Sequence, residues 1–390
     1  MSARDEHSAS PSRMRPLLRA LRAAPLLLGA TLAAAAGAAA QLPVSGTLGG
    51  GVGVEAYYFS DHAATGIRNI VLVTVPFAAR AQLPARLALE VAGAYAHGGV
   101  ALDGDDGRAT LSGLTDTSLR LSRTFGRDRL VLALIGQVPT GHTRHTEEEA
   151  VVADAVAADL LPFRISNWGA GGGIGFSAAY AVTAGGFGIG VTGGYVLAGE
   201  FEPFAEADAP LSYRPGNETT LRVAVDRSMG RSGKAALQAT WQGSDDDQID
   251  GTNLYRAGDR LQVVASYQAA VWRGTGLVYG GVLHRENGTS LDPAAPGTPV
   301  QDLWLGGAAL RFPRGRASVT PSIEGRVFRS EDGEGQGWLG GAGVSVDVPA
   351  GPVTLVPSLR GRVGNLVVAE DVETRLTGFE VGLGVRMAVQ

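Results

Sequence analysis

The chain has 390 residues, of which 57 are glycine and none is cysteine, and 45% are hydrophobic. The lack of cysteine excludes a disulfide scaffold and thiol chemistry, and a formal charge of -5 argues against nucleic acid as a partner. The composition is a poor match to a cytosolic α/β enzyme and suits an exported protein built of glycine-rich strands.

The first element in chain order is a targeting segment. Arg13, Arg15, Arg19 and Arg22 precede the apolar run APLLLGATLAAAAGAAA, and Ala38, Ala39 and Ala40 have the small side chains that a signal peptidase requires. Residues 1–40 therefore read as a signal peptide cleaved before Gln41. A start at Met14 gives a cleaner signal still, which would make 1–13 a start-site artefact. The run is short and Ala-rich, unlike a membrane anchor. Its removal takes five arginines and two acids, leaving 28 basic and 36 acidic residues over 41–390 and a charge of -8.

Strands follow from about Ser45, with no plug-like segment before them. Tight turns are expected near Gln82–Ala85, Gly126–Asp128, Val182–Gly185, Gly230–Gly233, Arg273–Gly274, Pro313–Gly315 and Ala350–Pro352. They alternate with long connections near Asp61–Gly66, Gly98–Arg108, Thr140–Asn167, Gly199–Asn217, Asp245–Asp259, Glu286–Val300, Glu331–Gly337 and Val367–Glu373. Most of the acidic residues fall in the long set. A soluble sandwich also alternates polar and apolar residues, but it does not require every second connection to be short. The pattern predicts an all-β, transmembrane, antiparallel up-and-down β-barrel of about sixteen strands, with fourteen as the other count and both termini at the periplasmic rim.

The third long connection departs from the strand pattern. Thr146 and Glu149 form a capping box, Val152, Val156 and Leu160 recur at four-residue spacing, and Pro162 ends the run, which predicts a short helix over Glu147–Leu161 in the third extracellular loop. Val152, Val156 and Leu160 are then candidates for a constriction if the loop folds into the mouth, and rim contacts if it lies outside. His142 and His145, with Glu147 to Glu149 nearby, have ligand types that suit zinc or nickel, but a solvated loop explains them more simply and no metal is assigned. The run DDDQIDG at Asp245–Gly251 lacks the ligand spacing of a calcium hand and supports at most a loosely bound ion. The glycine-rich GAGGGIGF lacks the helix and acidic partner of a nucleotide loop.

Further along, the last strands put oily residues on one face and charge on the other. Val319, Ile323 and Val327 oppose Glu324 and Arg326; Val353, Leu355, Leu359 and Val363 oppose Arg360 and Arg362; Phe379, Val381, Leu383 and Val385 oppose Glu380 and Arg386. With the oily face outward, Glu324, Arg326, Asp347, Arg360, Arg362, Glu380 and Arg386 line one inner wall, where they should be paired or wetted. Tyr57, Tyr58, Phe59, Tyr95, Trp168, Tyr195, Trp241, Trp304, Phe328 and Trp338 fall at loop-side strand ends and are expected to form an aromatic girdle.

At GLTDTSLRLSRTF, LVLALIGQVPTG and ISNWGAGGGIGFSAAYA the chain resembles Gram-negative outer-membrane proteins labelled phenol meta-pathway transporters, which are distantly similar to fatty-acid and aromatic-hydrocarbon channels. The carrying pieces are Gly113-Leu114-Thr115-Asp116, Pro139-Thr140-Gly141 and the glycine-rich strand after the loop, about a fifth of the chain. The chain departs from outer-membrane barrels in ending RMAVQ, without a terminal aromatic residue. The resemblance implies passive uptake of small molecules, including hydrophobic or aromatic compounds.

The expectation is an outer-membrane channel without covalent chemistry or cofactor. Its partners are small solutes, outer-membrane lipid and lipopolysaccharide, and the outer-membrane assembly machinery. Two rivals remain: a structural or adhesive surface barrel, and an outer-membrane hydrolase. The hydrolase would need a serine and a carboxylate beside His97 or His284, and no Gly-x-Ser-x-Gly elbow is present.

Overall fold

The computed structural model describes residues 45–104, 107–205, 211–230, 232–291, 297–333, 335–369 and 372–389; the expected signal peptide and Gln390 lie outside the described residues. Sixteen antiparallel strands close into one barrel. They are β1 (Ser45–Phe59), β2 (Ile67–Leu83), β3 (Leu87–Leu102), β4 (Arg108–Leu114 and Thr117–Phe125), β5 (Leu130–Val138), β6 (Gly173–Ala184), β7 (Phe187–Ala198), β8 (Glu218–Met229), β9 (Gly233–Ser244), β10 (Arg260–Val271), β11 (Gly274–Arg285), β12 (Gln301–Arg314), β13 (Ala317–Ser330), β14 (Gly337–Ala350), β15 (Val353–Ala369) and β16 (Val372–Val389). Each strand pairs with its neighbour in sequence, and β16 pairs with β1 from Gly46↔Val389 to Phe59↔Leu376. Closure leaves no free edge, which a spanning sheet needs because lipid offers no partner to an unpaired amide.

The expected tight turns join paired strands, with residue 231 of the one near Gly230–Gly233 outside the described residues. Several use backbone at positive φ, as at Arg127 and Asp128 after β4. One expected long connection is mostly strand, because β15 and β16 stay paired through Val367↔Glu373 to Ala369↔Val372.

The outward face is oily. Ile323, Leu359 and Val363 are 61%, 57% and 56% exposed, and Leu134, Ile174 and Phe176 are similarly bare. An apolar belt of this extent is unstable in water and matched to hydrocarbon, so the barrel is transmembrane. No helix among the described residues is long and apolar enough to cross a membrane. The girdle is partly confirmed: Tyr58, Trp241, Trp304 and Trp338 are exposed, whereas Tyr57, Phe59, Phe328 and Trp168 are buried. Tyr57, Phe59 and Phe328 have the inward parity of their strands, and Trp168 lies on a segment that has left the wall.

The strands differ in height. Those from β12 round to β4 run to 14–18 residues apart from the broken β4, whereas β5 has 9 and β6 to β11 have 12 each. On the short side the connecting loops form their own four-stranded sheet from Tyr213–Arg214, Asp246–Ile249, Thr252–Arg256 and Thr289–Ser290. The acidic run 245–251 is therefore mostly a hairpin. Its carboxylates meet protein donors, with Asp247 accepting from Tyr213 Oη at 2.6 Å and from the Gly216 N–H at 2.7 Å, and Asp246 accepting from Arg256 Nε at 2.6 Å.

Candidate functional site

Within the tall half, β4 is broken at Thr115-Asp116, and the break directs the third loop inward. The Thr115 hydroxyl accepts from the Ala94 N–H at 3.0 Å, taking the place of a ladder carbonyl. The freed Asp116 carboxylate then accepts from the Gly141 N–H (3.0 Å) and the Ala170 N–H (2.8 Å), where the loop leaves and rejoins the wall. Hydrogen bonds to a charged acceptor contribute about 1.5–3 kcal/mol each, so one side chain staples both ends of a long loop.

Inside the staple, helix α1 (Glu147–Ala157) starts with the expected capping box between Thr146 and Glu149. It ends at Ala157, short of the expected Leu161, because the chain passes into a turn in which the Leu161 N–H donates to the Ala158 carbonyl. Val152, Val156, Leu160, Leu161 and Trp168 enter a buried cluster with Tyr57, Leu72, Val100 and Leu111 from β1 to β4, and with Leu303, Phe328, Leu339 and Leu376 from β12, β13, β14 and β16. A methyl group at Gly98 would lie 2.7 Å from Val152 Cγ1 and 3.0 Å from the Trp168 ring, so the close approach of α1 depends on that glycine. Trp168 Nε1 donates to the Ala96 carbonyl at 3.2 Å. The loop therefore lies inside the barrel. Val152, Val156 and Leu160 are buried against the wall, and the side left exposed carries Glu147, Glu148, Val151 and Asp154.

The seven wall residues predicted from the sequence form two groups. In the first, Arg362 Nε donates to Glu324 Oε1 at 3.1 Å and its Nη2 to Glu380 Oε2 at 2.9 Å, while Arg360 Nη1 donates to Glu324 Oε2 at 2.9 Å. Arg326 borders this group and, among the described residues, makes no ion pair. In the second, Asp347 accepts from Arg386 and from Arg311 Nη2, the latter at 2.9 Å. The expected pairing across strands is present in both. Arg362 is only 5% exposed, and removing one partner from a buried pair costs about 3–5 kcal/mol.

Sequence reasoning missed Arg164, Glu55, Arg311 and Asp116. Arg164 leaves the third loop and joins the first group: its Nη2 donates to Glu380 Oε1 at 2.7 Å and its backbone N–H to Glu55 Oε2 at 3.1 Å. Gly53 and Gly382 form its bed, since a Cβ on either would lie within about 3.1 Å of the guanidinium. Glu55 was within reach of the alternation, being the only acid in SGTLGGGVGVEAYYF and on the parity opposite Tyr58. Towards the other end of the barrel a cavity of about 770 Å³ is lined by Arg80, Glu90, Arg311, Arg316, Asp347 and Arg386.

The histidines fall into separate places. His97 Nδ1 lies 2.5 Å from Ser112 Oγ across β3 and β4, and His284 Nδ1 lies 2.8 Å from Asp302 Oδ1 across β11 and β12. A hydrolase needs serine, base and carboxylate in one chain of contacts. Here the serine–histidine pair and the histidine–carboxylate pair sit on strands far apart round the barrel. Ser290 lies in the small loop sheet. His142 and His145, by contrast, converge with Glu149 at the start of α1, with His142 Nε2 3.4 Å from Glu149 Oε2.

No family model matches the chain, and no curated protein matches it. Solved structures with similar barrels include Pseudomonas putida OprB (10% identity, TM-score 0.49, covering 89% of this chain and 94% of that one). A mutant Rh. blastica porin (15%, TM-score 0.35, 89% and 99%) and the anion-selective porin from Comamonas acidovorans (12%, TM-score 0.39, 89% and 99%) are similar at the same level. At such identities none of the three bears on solute or selectivity.

Proposed function

We propose that the chain is an outer-membrane channel for small solutes, narrowed by its third loop and favouring anions. The carrying observation is the charge balance of the wall below the loop. Arg164, Arg326, Arg360 and Arg362 meet Glu55, Glu324 and Glu380, and nearer the other mouth Arg80, Arg311, Arg316 and Arg386 meet Glu90 and Asp347. Guanidinium exceeds carboxylate in both groups, although the mature chain as a whole is acidic. Fixed charge on a pore wall raises the local concentration of the opposite ion.

The route runs past the free side of α1. The helix packs on β2 to β4, and the inward positions of β6 and β7 are small, among them Gly175, Ser177, Gly188, Gly190, Thr192 and Gly194. Among the hydrophobic or aromatic solutes that the sequence resemblance implies, those bearing a carboxylate suit this wall best, because guanidinium pairs with carboxylate through two parallel hydrogen bonds. In proteoliposomes the mature protein should admit benzoate several-fold faster than benzyl alcohol is admitted above the lipid background. Equal protein-dependent rates for the two, or none for either, would remove the reading.

A further inference from the structure

His142, His145 and Glu149 offer ligand atoms that all lie within 4.8 Å of one another, and no other such group occurs among the described residues. Two come from the segment before α1 and one from its first turn. A four-coordinate ion with ligands at about 2.1 Å holds neighbouring ligand atoms roughly 3.4 Å apart. His142 Nε2 and Glu149 Oε2 are already 3.4 Å apart. The two imidazole rings lie 5.3 Å apart between centroids, and the third ligand atom is within 4.8 Å of the other two.

Three features of the surroundings distinguish this cluster from a solvated loop. His145 Nδ1 is buried without a hydrogen-bond partner, which is costly for a polar atom unless something else takes its lone pair or proton. The backbone of His145 is clamped: its N–H donates to the Pro203 carbonyl at 2.9 Å, its carbonyl accepts from the Ala205 N–H at 3.0 Å, and Arg144 beside it pairs with Glu202 at 3.3 Å. The protonation states also suit a cation. Burial, with His142 adding to it, pushes the His145 imidazole below its ordinary value, leaving it neutral. Burial opposes ionisation of Glu149, but the Thr146 N–H and His142 outweigh it and hold the carboxyl below its usual range.

We propose that His142, His145 and Glu149 bind one divalent transition-metal ion of the zinc class, tying the segment before α1 to its first turn. Two imidazoles and one carboxylate suit zinc, nickel or copper; calcium and magnesium prefer all-oxygen shells. The carboxylate keeps its cap hydrogen bond on one lone pair and offers another to the ion. His142, 38% exposed, gives the ion access from the loop side.

Calorimetric titration of the folded mature protein with ZnCl2, in detergent, tests this without any measurement of flux. One saturable site per chain is expected, with affinity falling at least tenfold in His145→Gln and further in the His142→Gln/His145→Gln variant. Heat-modifiable gel mobility checks that both variants still form the barrel, and Co2+ in place of Zn2+ should give visible bands in the wild type that are lost in the double variant. Absence of saturable binding in the folded wild type, or an unchanged Kd in the folded double variant, overturns the proposal.

Discussion

The tall and short halves of the barrel solve the same problem, a wide lumen, in opposite ways. From β12 round to β4 the strands are long and their inner face is crowded by α1, Phe163, Arg164 and Trp168, with Tyr57 and Phe163 meeting edge to face at 5.1 Å. From β5 to β11 the strands are short, the inner face of β6 and β7 is small, and the loops pack on one another in a separate sheet. A loop can be held firmly inside a barrel only where the wall gives it apolar anchors and charge partners. The tall half supplies both, and the proposed path follows the small inner side chains of the short half.

The contrast can be broken most directly by deleting Arg144–Phe163. The barrel closes through backbone ladders that this segment does not enter, so the deletion should still fold and show heat-modifiable mobility, with single-channel conductance rising several-fold. Unchanged conductance would place the path away from the loop. Next in size, Arg360→Gln with Arg362→Gln should remove positive charge from the tall wall and move the reversal potential towards cations. Arg222→Gln on β8, facing the short half, should move it less. If the two variants shift it equally, selectivity does not reside in the tall half.

A smaller effect is expected for Asp116→Ala, which frees both ends of the loop at about 1.5–3 kcal/mol per lost hydrogen bond. Open-channel current should become noisy while the mean conductance rises less than in the deletion. A quiet trace would mean that the buried cluster holds the loop unaided. Smallest is the response to acid. His145 and Glu149 both have pKa values depressed below the ordinary 6.5 and 4.5, so each stabilises the folded loop above its ordinary value and loses that contribution as pH falls through its folded value. With divalent ions chelated, loop-related fluctuations should grow below pH 6.5 through His145 and grow again below pH 4.5 through Glu149. The Glu149→Gln variant should lack the second rise.

Strands and turns were legible because both signals are local. Alternation sets which side of a strand faces out, as for Ile323 against Glu324, and residues such as Gly126-Arg127-Asp128 mark a reversal without reference to the rest of the chain. The capping box of α1 was legible for the same reason. What the helix does was not, since nothing in TEEEAVVADAVAADLL states which wall it meets. The charge pairs of β13, β15 and β16 followed from parity, whereas Arg164 did not. Its partner Glu380 lies 216 residues away, and a residue of an irregular segment has no parity to read. Trp168 was misplaced in the girdle because an aromatic residue near a strand end has the same sequence signature whether the chain stays in the wall or turns inward.

The sign of the charge that a solute meets inside the barrel decides whether the channel favours anions. The direct measurement is the reversal potential of the wild-type barrel in a planar bilayer under a tenfold KCl gradient. Stepwise conductance with chloride carrying more current than potassium is the predicted result. Potassium preference, or no conductance from protein shown to be folded by heat-modifiable mobility, would contradict it.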